Sequence, residues 1–131
     1  MTRAKKGKIE WTLAPDILER IEYLVERTEI LWVNLERIKT LRSINANTRA
    51  YARIWGFSKV WQIAYGIEPA YVIEVISEKF DKLPQKEQDK ILLHEIAHIP
   101  KNFSGSLAPH KHGKGNFHDT LKSLIRAYDQ S

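Results

Sequence analysis

The sequence predicts an α+β protein, in which a small mixed or antiparallel sheet packs with an N-terminal helix, a central helix and a C-terminal helix. Three observations carry this. Apolar residues recur at helical spacing in three separated stretches, near residues 15–27, 84–99 and 116–128. Between the first two lie β-branched and aromatic runs broken by Gly, Pro and Asn, which read as strands and turns. The chain has 131 residues, 43% of them apolar, which is enough for one modest core.

Residues 1–10 read as a flexible basic tail, because Lys5, Lys6 and Lys8 have no apolar periodicity around them. The opening MTRAKKGKIEW has no apolar h-region and is not expected to be a secretory signal. Residues 11–131 are expected to form a single domain. Pro15 sits where a first helical position belongs and Asp16 follows it, a favourable N-terminal pairing. Ile17, Leu18, Ile21, Leu24 and Val25 then share one face, so the first helix is expected over 15–27. Leu35 to Leu41 is compatible with a strand, and Ser43 to Thr48 reads as a turn or loop. Tyr51 to Trp55 and Val60 to Tyr65 flank a Gly56-Phe57-Ser58 break and are expected to form a hairpin. Gly66 and Pro69 bracket another turn. Tyr71 to Ile76, rich in β-branched residues, is the strongest strand. Pro84 opens the second helix, which turns apolar at Ile91 and ends by Pro100. Residues 101–115 hold three Gly and one Pro and should be a loop. The last helix starts near Asn116, with Phe117, Leu121, Leu124, Ile125 and Tyr128 on one face.

Composition removes several classes of function. With no cysteine, disulfide frameworks, Cys-ligated zinc fingers and thiol nucleophiles are excluded. The same absence fits a reducing compartment, and a cytoplasmic location is expected. No run approaches the roughly 18 apolar residues of a membrane span. No Gly-rich phosphate loop and no G-x-S-x-G elbow occur. The formal charge of +5 permits association with DNA, although no compact basic-aromatic motif accompanies it.

The informative segment is Leu92-Leu93-His94-Glu95-Ile96-Ala97-His98, an H-E-x-x-H pattern inside the second helix. Residues four apart lie on one side of a helix, so His94 and His98 can reach one metal ion from consecutive turns. Glu95 beside them is placed to take a proton from an attacking water. At about 100° per residue, with His94 at zero, His98 falls near 40° and Glu95 near 100°. Leu92, Ile96 and Ile99 fall at about 140–200°, so the apolar stripe and the His pair occupy nearly opposite sides. All five His residues lie at 94 or later.

Zinc at a catalytic site takes three protein ligands and keeps one position open. A glycine and a histidine three and six residues beyond His98 would supply the third, but Lys101 and Ser104 stand there. No Glu follows Glu95 either. The candidates left are His110, His112, His118, Asp119 and, distantly, Asp129. His112 is favoured, because Gly113 and then Phe117 follow it and a helix can aim a ligand at the end of the loop before it. His110, stiffened by Pro109, comes next and His118 third. Tyr65 and Tyr71 are candidate second electrophiles, although packed aromatics fit both better. Lys111 and Lys114 near the site read as a solvated loop that could steer acidic substrates.

Tyr71 to His98, YVIEVISEKFDKLPQKEQDKILLHEIAH, resembles the SprT-like zinc metalloproteases. Those place a strand, a turn and an H-E-x-x-H helix in this order, with a third His in an H-G-x-x-F setting. Here His112-Gly113-Lys114-Gly115-Asn116-Phe117 matches that setting with one extra residue. His94 to His110, HEIAHIPKNFSGSLAPH, is similar to the predicted metallopeptidases of archaea and phages, as are Ser43, Ala52-Arg53-Ile54 and Val60-Trp61-Gln62. The likeness covers roughly residues 35–130. It implies a compact minimal zincin fold and zinc-dependent hydrolysis of a protein or peptide substrate. His94 and His98 would be ligands and Glu95 the general base, with the third ligand open because PHKH offers two His. The SprT-like relation implies DNA-bound protein targets. The competing expectation is a metal-stabilised module that binds nucleic acid or protein and cuts nothing.

Overall fold

The computed structural model describes residues 7–110 and 116–130. It is an α+β fold with a mixed four-stranded sheet. The strands are β1 (Glu10–Leu13), β2 (Ile38–Ile44), β3 (Ala52–Gly56) and β4 (Tyr71–Ile76). The helices are α1 (Pro15–Arg27), α2 (Lys59–Tyr65), α3 (Ser77–Phe80), α4 (Gln85–Ala97) and α5 (Phe117–Gln130). The sheet order is β1-β2-β4-β3, with β2 and β4 parallel and the two outer pairs antiparallel. β3 is therefore an edge. Among the described residues, no helix is long and apolar enough to cross a membrane.

Strand alternation sorts side chains between two faces. Ile38, Ala52, Tyr71, Ile73 and Val75 point to the face covered by α1, α4 and α5, and form the core with Ile21, Leu24, Leu92, Leu93 and Ile96. The opposite face bears Glu74, fully buried within the strongest strand. Arg53 reaches it from β3 at 2.6 and 3.1 Å, and the Trp55 indole N–H donates to it at 3.0 Å. Burial pushes this carboxyl up, but the bonds from Arg53 and Trp55 outweigh it and hold it below the usual range.

α1 and β4 have the bounds the sequence predicts. The expected hairpin between Tyr51–Trp55 and Val60–Tyr65 does not form. β3 pairs with β4 instead, Arg53 opposite Glu74, and residues 59–65 are helical. Two local features favour the helix. Gly66 closes it in the left-handed conformation at φ 63°, and Gln62 finds acceptors when turned inward. β2 runs on to Ile44, so the turn expected from Ser43 begins two residues later. β1 takes in Glu10, which lies in the stretch read as a tail; Lys5 and Lys6 lie outside the described residues.

Asp89, fully buried on α4, ties the three covering helices together. Arg20 of α1 donates to it at 2.8 and 2.7 Å, Tyr128 of α5 at 2.6 Å and Gln85 at 2.9 Å. Burial raises its pKa, but these donors outweigh burial and set it below 3.8. A depressed carboxyl gives stability that is present above the unfolded value and lost as pH falls through the folded one. Urea midpoints should therefore drop below about pH 4, and the drop should shrink in Asp89→Asn. That variant should itself lose on the order of 3 kcal/mol at pH 7, since it breaks a buried pair. A midpoint unchanged by the substitution would remove Asp89 from the account of stability.

Candidate metal centre

α4 carries His94 and Glu95 in its last turn, and His98 at its C-cap, where the backbone is still helical at φ −74° and ψ −14°. The two imidazoles lie one turn apart, with ring centroids 5.3 Å from each other. The chain beyond Pro100 then folds back over the helix end. The Ala108 N–H donates to the His98 carbonyl at 2.7 Å, and His98 Nδ1 meets the Ala108 carbonyl at 2.6 Å. A carbonyl only accepts, so Nδ1 carries the proton and Nε2 keeps its lone pair. Two residues on, His110 returns to α4 and sets its Nε2 3.2 Å from His94 Nε2. One ligand atom from each of His94, His98 and His110 falls within 4.8 Å of the others. Three imidazole nitrogens this close fit one small divalent cation with an open position, because His110 is exposed.

Phe117, the first residue of α5 and almost wholly buried, supports the cluster. Its ring stacks on His98 at 4.3 Å and meets His94 and His110 edge-on at 5.0 and 4.8 Å. His118 donates from Nε2 to the His110 carbonyl and so holds the loop from behind. The loop is fixed further back by Tyr71, whose hydroxyl accepts from the Gly105 N–H and donates to the Ser106 carbonyl, both at 2.8 Å.

Burial sets the charge states. It lowers His94 to about 4, with further lowering from His98, His110 and His118. It also lowers His98, against the opposing bond to the Ala108 carbonyl. Both rings are thus neutral at pH 7 and ready to ligate without losing a proton. Glu95 is 8% exposed, and burial pushes its carboxyl up to about 8. The wheel placed the His face opposite the apolar stripe. The structure covers that face as well, with β3 and the 101–110 loop, and so desolvates Glu95 and His98.

A cleft of ≈ 350 Å³ opens over these residues, with Ala52, Ile54 and Leu107 as its apolar walls. Along β3, the antiparallel ladder uses Tyr51, Arg53, Trp55 and Phe57 toward β4, as the bonds Ile76 N–H to Tyr51 carbonyl and Phe57 N–H to Ala70 carbonyl mark. The backbone groups of Ala52 and Ile54 consequently face away from the sheet, beside Glu95.

The structure thus brings together His94, Glu95, His98 and the second-choice ligand His110. His112, favoured from the sequence, lies outside the described residues, as do Lys111 and Lys114. Asp119 and Asp129 are not in the imidazole cluster, and Asp129 lies 3.9 Å from Lys90. Tyr71 is engaged with the loop backbone, while Tyr65 is exposed and stacks on Trp61, so neither lines the cleft. Sequence reasoning missed Arg53, which lines the cleft, and Glu74, which holds it. The signal was present: a lone charge in the middle of Tyr71-Val72-Ile73-Glu74-Val75-Ile76.

A family model described as "putative phage metallopeptidase" matches residues 9–128. No curated protein and no solved structure matches the chain. The matched span begins one residue before β1 and ends within α5, so it takes in the whole sheet, α4 and the three convergent imidazoles. The chain belongs to this phage metallopeptidase family.

Proposed function

We propose that the protein is a zinc-dependent peptidase that cuts polypeptides at the His94–His98–His110 cluster, with Glu95 as general base. The observation that carries this reading is a buried carboxyl beside three convergent imidazoles at a strand edge. An all-nitrogen donor set with an open position suits zinc. A zinc ion held there would polarise the scissile carbonyl and acidify a water molecule. Glu95 takes the proton from the attacking water at its carboxylate and returns it to the amide nitrogen as the C–N bond breaks. The outward backbone groups of Ala52 and Ile54 pair with an extended substrate, which adds a strand to the sheet. Arg53, clamped by Glu74, keeps that edge in place. The same reading puts the enzyme in the cytoplasm, in keeping with its lack of cysteine, and the charge of +5 allows a secondary, weak association with DNA.

A binding module that only uses metal for stability has no use for Glu95, whose desolvation disfavours its charged form. Glu95→Gln separates the two readings. Hydrolysis of a fluorogenic peptide should fall about 10²–10⁴-fold, while metal analysis still finds one zinc per chain. Undiminished cleavage would exclude Glu95 as the base.

The third ligand is open to a direct comparison. His110→Ala should weaken zinc binding by more than the roughly 10–100-fold typical of residues that only support a ligand. His112→Ala should weaken it less than tenfold. Competition titration with a chromophoric chelator reads both, and the reverse order would assign the position to His112.

A further inference from the structure

Helix α2 is inverted. A surface helix ordinarily buries an apolar stripe and turns its polar face outward. Here the one buried residue is Gln62, while Val60, Trp61, Ile63 and Tyr65 are 74, 52, 73 and 65% exposed. Polar bonds hold the helix down: Gln62 Nε2 donates to the Phe57 carbonyl at 2.7 Å and to the Ser104 carbonyl at 2.9 Å. Ser104 belongs to the loop that delivers His110. Gly105 of that loop, at φ 94°, comes so close that a Cβ on it would sit 2.3 Å from the Phe57 carbonyl oxygen and 2.4 Å from Gln62 Nε2. α2 is thus fixed to the loop of the imidazole cluster by its base, and its apolar side chains are left outside. Trp61 and Tyr65 stack at 5.5 Å with their planes 6° apart, a preformed flat surface.

Leu107 and the end of β3 link this surface to the cleft. Leu107 lines the cleft with His94, His98 and His110, and is 40% exposed. Its Cγ also lies 3.5 Å from where a Cβ on Gly56 would be. Gly56 ends β3, and α2 begins at Lys59. An extended chain seated along the edge at Ile54 would therefore reach α2 within about four to six residues, at about 3.3 Å each.

We propose that α2 is a second docking surface for the polypeptide substrate, which takes an apolar segment about four to six residues from the scissile bond. The occupant is an extended stretch of the substrate itself, because the surface runs on from the cleft by way of Leu107 and the strand edge. The proposal rests on the peptidase reading and narrows its substrates to chains with exposed apolar segments, as unfolded proteins have.

The test uses the zinc-loaded full chain and three fluorogenic peptides. One spans the cleft only; the others carry six-residue extensions at both ends, rich in Leu and Phe or in Ser and Gln. The KM of the apolar peptide should lie about tenfold below that of the polar one, as partial burial of one or two side chains provides. The double variant Trp61→Ser/Ile63→Ser should lose that advantage and leave cleavage of the short peptide unchanged. If its melting temperature falls, Ile63→Gln alone takes its place. Equal KM values in the wild type would overturn the proposal. So would sedimentation of the wild type as a dimer, and of the variant as a monomer, with no peptide preference, which would give the surface to a second copy. If the short peptide is not cut at all, the peptidase reading fails separately. Fluorescence anisotropy with the labelled apolar peptide then decides for α2: binding about tenfold tighter to wild type than to the variant upholds the surface, and equal binding removes it.

Discussion

The site depends on the clasp between His98 and Ala108. The C-cap residue of α4 and one residue of the following loop exchange two hydrogen bonds, backbone N–H to carbonyl at 2.7 Å and ring Nδ1–H to carbonyl at 2.6 Å. The first bond caps a carbonyl that the helix end would leave unpaired. The second fixes the tautomer, so that Nε2 of His98 faces the other two rings as an acceptor. Together they set where the loop turns, and His110 follows two residues later. A helix alone supplies only a pair of imidazoles; the clasp turns the pair into a set of three.

The clasp in turn needs a loop with little freedom, and the fold supplies this through contacts remote in sequence. Tyr71 grips Gly105 and Ser106 from the first residue of β4, and Gln62 grips Ser104 from α2. Gly105 is required where the loop backbone meets the Phe57 carbonyl and the Gln62 amide, since any side chain would collide with both. Phe117 closes the other side, so α5 packs on α4 by way of the ring that supports the imidazoles. Core packing and site geometry are therefore one set of contacts. Substituting Phe117 or Tyr71 would act on both.

What the sequence reveals follows the range of the interactions involved. α1 and β4 are legible to their ends, because Pro15 and the β-branched run from Tyr71 are local signals reinforced by burial on the expected faces. The His94, Glu95 and His98 spacing is legible for the same reason, being set within one turn of helix. Residues 60–65 mislead because their apolar side chains are exposed and their polar residue is buried, so hydrophobic pattern does not report the packing. β1 escapes notice because Glu10 to Leu13 is exposed throughout and owes its strand to pairing with residues 41–44. His110 reaches the cluster on a loop held by bonds from Tyr71, Gln62 and His98, over separations no local pattern encodes, and His112 lies outside the described residues.

Among the described residues three carboxyls are buried, and the contrast among them separates structure from chemistry. Glu74 and Asp89 are fully buried, yet each is met by an arginine and further donors, and each is held below its usual pKa. Such groups are satisfied, and protonating them weakens the fold. Glu95 is buried beside the imidazoles, burial alone acts on it, and its carboxyl rises to about 8. A fold selected for stability would pair that group or replace it with an apolar residue of similar volume. Keeping it bare is intelligible if its counter-charge arrives with a cation on His94, His98 and His110, and if its proton affinity near neutrality serves the reaction. A buried carboxyl that meets no arginine among the described residues, more than burial or motif, is what sets this cluster apart from a histidine-rich helix end.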